Sequence, residues 1–284
     1  MAAEYTTGAA LTAAQRLHQS GHLAEAEQIY RAILAQLPGQ PDALHFLGVL
    51  RHQRGDSAAA VELLLAAIDV LPDEPGPRNN LGNVYAECGR LEDAVLAYQG
   101  CLELAPDFAD ALNNLGTLHR ARGEWVQAQH CHERAVAARP DFADAWNNLA
   151  RLMLAQRRIR EAVQYACKAI TLLPRDAEAR KLLGIAYYTL GEVDNAAAVY
   201  REWLAAEPDN AVARHHLAAC SGQGVPARAS DAYVASTFDA FAASFDAKLL
   251  QLGYRAPQLV AEALRAAFAE GASHGWLVVA RSAG

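Results

Sequence analysis

The sequence predicts an all-α protein built as a solenoid of repeated helical hairpins and continued by a C-terminal helical extension. Six of its eleven prolines recur at a constant interval of 34 residues, and small residues recur in phase with them. Between the prolines, apolar residues recur every three or four positions, which is the period of an amphipathic helix. A repeat of this length indicates hairpins that bury their apolar faces against one another. The recurring positions are Pro38, Pro72, Pro106, Pro140, Pro174 and Pro208, then Ala26, Ala60, Ala94, Ala128, Ala162 and Ala196, and then Gly48, Gly82, Gly116, Ala150, Gly184 and Ala218.

The unit that begins at residue 109 shows the two helices and the turn expected in each repeat. Helical spacing of leucines predicts a first helix, helix A, from Ala109 to Arg120, with Asp107 as its N-cap. Gly123 supplies the flexible backbone for a tight turn. A second helix, helix B, is expected from Trp125 to Ala138, and Pro140 ends it because proline lacks a backbone donor. Each unit is therefore a helical hairpin.

The fourth and fifth units depart from this pattern. Most units carry glycine at the turn between helices A and B, but the fifth carries Arg157, so we expect a strained or differently closed turn there. The fourth unit has His119 and His132 where other units have tyrosines. We expect these two histidines to form a polar pair within the core. The turn glycines are Gly21, Gly55, Gly89, Gly123 and Gly191.

Composition narrows the classes of function. The 284 residues carry a formal net charge of −7, which disfavours nucleic acid as a partner. Five cysteines without a Cys-x-x-Cys pair argue against a disulfide framework or a zinc knuckle. His130 and His132 flank Cys131, but they diverge by about 200° on a helix and cannot hold one ion from one face. We expect no metal and no cofactor, and, without a leader-like segment or a long apolar run, a cytoplasmic protein that does not enter the membrane.

Over residues 7–220 these positions resemble the tetratricopeptide repeat family. The small residues, the alanines and the prolines match its pattern in six complete repeats, and Ala211 to Cys220 resembles the first helix of a seventh. The resemblance implies a right-handed superhelix in which helices A line a concave groove. Such a groove binds an extended peptide or a helix of a partner protein.

Paired asparagines mark the three central repeats, one and two residues before a leucine of helix A. Asparagine is a poorer helix former than alanine by up to about 0.7 kcal/mol, so six of them on superposed helices indicate a compensating role. A ladder of amides suits capture of a partly acidic peptide through its backbone, and it resembles the asparagine-lined inner surface of the repeats in O-linked N-acetylglucosamine transferases. The alternative is that the second asparagine of each pair hydrogen-bonds the neighbouring repeat. The candidate partner-binding residues are Asn79, Asn80, Asn83, Asn113, Asn114, Thr117, Arg120, Asn147, Asn148, Arg151 and Lys181.

The repeat phase ends after residue 220. Residues 221–229 form a turn-rich linker, and residues 230–270 predict a helical extension that Ser230 caps and that carries an apolar stripe of Val234, Phe238, Phe241 and Phe245. This segment resembles the leader of bacterial proteins that fuse such repeats to an S-adenosylmethionine-dependent methyltransferase. The short tail, residues 271–284, carries no Gly-x-Gly loop for that cofactor.

These features predict a scaffold for protein–protein interaction without catalytic residues. Two alternatives stay open. The chain is the substrate-recruiting arm of a methyltransferase whose catalytic domain is truncated here, or it is a structural protein that self-associates through the ends of the solenoid.

Overall fold

The protein is described by a computed structural model that covers residues 2–222, 230 and 233–235, with side chains from residue 7 onward. Within this part the chain folds into thirteen complete helices and no strand, and residues 233–235 are helical as well. Consecutive helices pair as hairpins, so α1 and α2 form repeat 1, α11 and α12 form repeat 6, and α13 stands where a seventh repeat would begin. The helices are α1 (Ala2–Gln19), α2 (Leu23–Gln36), α3 (Pro41–Gln53), α4 (Ser57–Val70), α5 (Pro75–Glu87), α6 (Leu91–Leu104), α7 (Ala109–Ala121), α8 (Trp125–Ala138), α9 (Ala143–Ala155), α10 (Ile159–Leu172), α11 (Ala177–Thr189), α12 (Val193–Ala206) and α13 (Ala211–Ser221).

The predicted hairpin of repeat 4 is confirmed to within one residue by α7 and α8. The predicted N-cap is wrong. Phe108 occupies the cap position of α7 with an extended backbone, and no side chain accepts a hydrogen bond from the first turn. Asp107 lies one residue too early, because a capping side chain must belong to the residue directly before the first helical one.

The A helices (α1, α3, α5, α7, α9 and α11) lie closer together than the B helices do. Each of them contacts the A helix of the next repeat from α1 to α11, whereas the B helices pack mainly on the A helices at either side. A stack whose inner layer is more tightly spaced than its outer layer must curve toward the inner layer. The A helices therefore line the concave side of this right-handed superhelical solenoid.

In repeats 2, 3, 4 and 6 the two helices of the hairpin meet at a glycine on helix A, and in repeat 5 Ala150 takes its place. At Gly82 an added Cβ would lie 2.5 Å from Cε1 of Tyr98, which lies across on α6. Tyr98 is 2% exposed and belongs to the core. No larger residue fits at Gly82 without moving the two helices apart, as expected from the recurrence of small residues.

The prolines between consecutive repeats have a second role, besides ending helix B, that the sequence pattern did not reveal. In four turns the proline carbonyl oxygen accepts a hydrogen bond from a side chain six residues later, on the next helix A. This contact ties the end of one repeat to the start of the next and gives the carbonyl oxygen of the turn a hydrogen-bond partner. The pairs are Pro72 with Arg78, Pro140 with Trp146 (2.9 Å), Pro174 with Arg180 (2.7 Å) and Pro208 with Arg214 (2.7 Å).

The turns between helices A and B require a left-handed backbone conformation. The five turn glycines have φ between +74° and +85°. Arg157 adopts the same conformation with φ +62°, and it is the one non-glycine residue with positive φ in the described part of the chain. The expectation of strain in repeat 5 is therefore confirmed, since a side chain at this φ crowds its own backbone.

The C-terminal extension is described only at its start. The Oγ atom of Ser230 accepts a hydrogen bond from the backbone N–H of Tyr233 at 3.2 Å, as an N-cap does. The phenylalanine stripe, the rest of the segment that resembles a methyltransferase leader, most of the linker and the tail lie outside the described residues. Among the described helices, none combines the length and the apolar character that crossing a bilayer requires.

Replacing Arg157 with glycine should stabilise the protein. The left-handed conformation costs a residue with a Cβ about 1–2 kcal/mol, and the greater freedom of glycine in the unfolded chain offsets part of this gain. We expect the free energy of unfolding to rise by about 0.5–1 kcal/mol in urea titrations. The reciprocal change, Gly123→Arg in repeat 4, should lower it. Unchanged or reduced stability of Arg157→Gly would contradict strain at this turn.

Candidate partner-binding groove

All eleven predicted partner-binding residues lie on four consecutive A helices, α5, α7, α9 and α11. These helices line the concave side, so the fold brings the candidates to one groove. Its middle part, on repeats 3 to 5, carries the paired asparagines. The side chains differ, however, in how much they offer to a ligand.

The first asparagine of each pair is largely buried. Asn79, Asn113 and Asn147 are 5–7% exposed. The Oδ1 atom of Asn113 lies 3.1 Å from Nδ1 of His132, and the amide of Asn147 donates to the carboxylate of Asp176 in the next repeat. The amides of Asn113 and Asn147 thus satisfy polar groups of the solenoid, whereas Oδ1 of Asn79 and Oδ1 of Asn147 have no partner among the described residues.

The second asparagine of each pair reaches back to the preceding repeat. Its Nδ2 atom lies within hydrogen-bonding distance of an acceptor 31 or 35 residues earlier in the chain. This is the geometry expected if the second asparagine fixes one repeat against the next. The pairs are Asn80 with Nε2 of His45 (2.6 Å), Asn114 with Oδ1 of Asn83 (2.9 Å) and Asn148 with Oδ1 of Asn113 (2.9 Å).

Two of these pairs have a sequence signal that was missed. His45 and Asn80, and likewise Asn113 and Asn148, are separated by 35 residues, one more than the repeat period. A polar residue 35 positions before an asparagine is therefore a signal of a bond between neighbouring A helices in two of the three pairs, whereas Asn114, 35 residues after Asn79, donates to Asn83 instead. His45 fits the role of acceptor because burial lowers its pKa and favours the neutral ring.

A cavity of about 360 Å³ opens in the groove between repeats 3 and 4. Asn83, Asn114 and Thr117 provide its polar lining, together with Tyr98 and Glu87. Both the Tyr98 hydroxyl (2.8 Å) and the Asn114 amide (2.9 Å) donate to Oδ1 of Asn83, which fixes the orientation of that side chain. The cavity thus presents a preorganised set of amide and hydroxyl groups.

The cations of the groove divide into paired and unpaired ones. Arg151 donates to Oδ1 of Asn148 (2.7 Å) and to Oε1 of Glu178 (2.8 Å), and Lys181 lies 3.8 Å from Glu178. Arg120 has no acceptor among the described residues, and its Nε atom is buried without a partner. Burial, and after it the charge of Arg151, lowers the pKa of Arg120.

His132 occupies the core position that a tyrosine fills in repeats 1, 3 and 6. It is fully buried, and within the described residues its Nε2 atom has no partner. Burial lowers its pKa to about 3, and the positive charges of Arg120 and Arg151 act in the same direction. Because Asn113 Oδ1 also accepts from Asn148, it serves as an acceptor for Nδ1–H of a neutral His132.

The expectation of a His119–His132 pair is wrong. His119 binds the carboxylate of Glu124 at the turn after α7, and its ring is partly exposed. The charged partner at the turn draws His119 away from the core, and His132 pairs with Asn113 instead. In the described part of the chain no three His, Cys, Asp or Glu side chains are grouped so that they could hold a metal ion.

Comparison with known families identifies the repeats. Four models described as TPR or tetratricopeptide repeats match residues 17–78, 82–120, 107–175 and 150–211. These residues therefore consist of tetratricopeptide repeats. A search of curated proteins found no match for the chain.

Solved structures share the fold at low sequence identity. PilF of Pseudomonas aeruginosa superposes with a TM-score of 0.68 at 19% identity, over 77% of this chain and 100% of that one. PilW, described as a type IV pilus biogenesis factor, superposes with a TM-score of 0.65 at 20% identity, over 74% of this chain and 97% of that one. Cut9 in the APC/C hetero-tetramer Cut9–Hcn1 gives 0.66 at 17% identity, and the match spans 76% of this chain but 43% of that one.

The buried neutral His132 should make the fold sensitive to acid. In the unfolded chain it takes up a proton below about pH 6.5, whereas in the folded chain it resists protonation until about pH 3. Stability from this group is therefore complete above pH 6.5 and is lost as the pH falls toward 3, with a loss of about 2 kcal/mol at pH 5. The His132→Tyr variant, which carries the tyrosine found in repeats 3 and 6, should lose less free energy of unfolding on the same change of pH.

The measurement is the free energy of unfolding at pH 7.5 and pH 5 for both proteins. The other histidines are common to the two chains, so their contributions cancel in the comparison. An equal loss in wild type and His132→Tyr would contradict the buried neutral histidine.

Proposed function

We propose that this array of tetratricopeptide repeats is a protein-interaction scaffold whose groove binds an extended, partly acidic segment of a partner protein on repeats 3 to 5. Tetratricopeptide repeats in general mediate protein–protein interaction. The observation that carries the finer proposal is the partly buried, unpaired guanidinium of Arg120.

A partly buried cation without an acceptor is costly, because it has lost water and gained no hydrogen bond in return. Arg151 adds a second positive charge nearby and lowers the pKa of Arg120 further. A carboxylate from a partner would supply the missing acceptor through a charge-assisted and potentially bidentate contact. The groove is therefore complementary to an acidic side chain at this point.

The polar lining beside Arg120 suits a peptide backbone. Thr117 precedes Arg120 by three residues on α7, so the two share one face of the helix. Thr117 also borders the cavity with Asn83 and Asn114. Amide and hydroxyl groups can both donate to and accept from an extended main chain. The carboxylate contact would then position the segment, and the amides would hold it with little dependence on sequence.

One of the solved structures with this fold supports a peptide ligand by its description. YrrB, described as having an unusual peptide-binding site, superposes at a TM-score of 0.53 with 16% identity. For the alternative of a methyltransferase-recruiting arm, the residues concerned lie almost entirely outside the described part. Among the roles expected from the sequence, binding in the groove is the one that the unpaired side chain of Arg120 favours.

The test is binding of a fluorescein-labelled twelve-residue peptide of alternating glutamate and serine, followed by fluorescence anisotropy. Arg120→Met should weaken binding about tenfold or more, because a charge-assisted hydrogen bond is worth about 1.5–3 kcal/mol. The same variant should be at least as stable as the wild type, since it removes an uncompensated charge. A peptide with glutamine in place of glutamate should bind weakly to both proteins.

Arg201→Ala is the matched control, because it removes one exposed positive charge from α12 on the outer layer. It should bind the peptide as the wild type does. If a folded Arg120→Met chain retains wild-type affinity, the groove proposal fails. Replacing Asn80, Asn114 and Asn148 together is a poorer test, because that change also breaks three bonds between repeats.

A further inference from the structure

The turn between α9 and α10 is locally basic in an acidic chain. Arg157, Arg158 and Arg160 lie there within four residues, whereas the net charge of the protein is −7. Arg158 is satisfied by Glu161 (2.6 and 2.7 Å) and by Gln129 (2.7 Å). Arg157 and Arg160 are exposed, and in the described part of the chain neither guanidinium has an acceptor. Two positive charges are therefore available at this turn.

Arg157 holds its place at a cost in backbone strain. At the same position the other five hairpins have glycine, which adopts positive φ without a penalty. Strained residues that persist in a fold cluster at sites of function. The strain at Arg157 thus indicates a use for its side chain beyond closing the turn.

Apolar surface borders the two cations. Val126, 80% exposed, and Trp125, 43% exposed, begin α8. Gln129 lies three residues after Val126 on the same side of α8, and Arg158 reaches it from the first turn of α10. On the other side a cavity of about 290 Å³ lies between the α9–α10 turn and Leu190 of repeat 6. Exposed tryptophan and arginine beside aliphatic residues are typical of the centre of protein interfaces.

We infer that Trp125, Val126, Arg157, Arg160 and Leu190 form a second docking surface, here called the turn-5 surface, for a partner segment that places carboxylates beside aliphatic side chains. Charge complementarity identifies the carboxylates, since the turn offers two unpaired guanidinium groups. Nucleic acid fits less well, because the net charge of −7 repels a phosphate backbone and the exposed valine offers it no contact. The surface lies at the turns between helices A and B, away from the middle of the A helices, and does not depend on the proposed groove.

The experiment uses the full chain with Arg120→Met as the common background, so that binding in the groove does not contribute. The probe is a fluorescein-labelled twelve-residue peptide of alternating glutamate and leucine, measured by anisotropy at 50 and 500 mM NaCl. Arg157→Asn/Arg160→Gln removes both charges and keeps the turn, because asparagine tolerates positive φ. We expect about tenfold weaker binding at low salt, with a thermal midpoint at least as high as that of the background protein, because asparagine is less strained than arginine at this φ.

Val126→Ser tests the apolar part of the surface and should weaken binding about threefold, because this exposed side chain has little role in folding. Lys168→Gln/Arg201→Gln is the control, since it removes two exposed charges from helices B and should change affinity less than about twofold. Arg157→Lys keeps the charge and should retain most of the binding.

Two results would overturn the inference. One is equal affinity of the Arg157→Asn/Arg160→Gln variant and the background protein. The other combines two observations: Val126→Ser leaves the affinity unchanged, and inorganic phosphate or a polyuridine RNA displaces the labelled peptide as effectively as unlabelled peptide does. The turn would then adsorb anions without recognising a protein segment.

Discussion

Close approach of the two helices in each hairpin is the constraint on which the rest of the solenoid depends. At Gly82 a single added carbon would collide with the ring of Tyr98, so α5 can meet α6 there only through a residue without a side chain. This contact fixes the rotation of helix A about its axis. Once that rotation is set, every residue on the opposite face of helix A must point toward the concave side or toward the neighbouring repeat. The groove is thus a consequence of the core.

The composition of the core in turn shapes the groove. Repeat 4 has His132 against Gly116 in place of a tyrosine, and a buried imidazole needs a polar partner. Asn113 provides it and also accepts from Asn148 in the next repeat. Asn148 then orients Arg151 through its own oxygen. A chain of hydrogen bonds therefore runs from the core of repeat 4 to a cation of the groove, whereas in repeat 3 the Tyr98 hydroxyl is linked to the amides of Asn83 and Asn114.

The repeat period and the backbone chemistry of proline and glycine predicted the helices and turns correctly. The predictions were wrong where a side chain has several possible hydrogen-bond partners. Proline spacing and turn glycines set the hairpins almost to the residue, because proline cannot continue a helix and glycine adopts positive φ at little cost. The cap at Asp107 and the His119–His132 pair were wrong, since both depended on a shift of one residue or on a competing carboxylate. Period alone placed all the candidate groove residues on A helices. It did not separate amides that bond between repeats from those that line a cavity.

Charge pairing distinguishes Arg120 from the cations of the first hairpins. Glu27, nearly buried in repeat 1, is surrounded by Arg31, Arg51 and Arg54, so these cations are neutralised within the fold. Arg120 is partly buried but lacks such a carboxylate in the described residues. The same fold surrounds one buried anion with three cations, so its packing does allow buried charges to be paired. This contrast is the reason for the proposal that the guanidinium, left unpaired beside a preorganised polar cavity, contacts a carboxylate of another molecule.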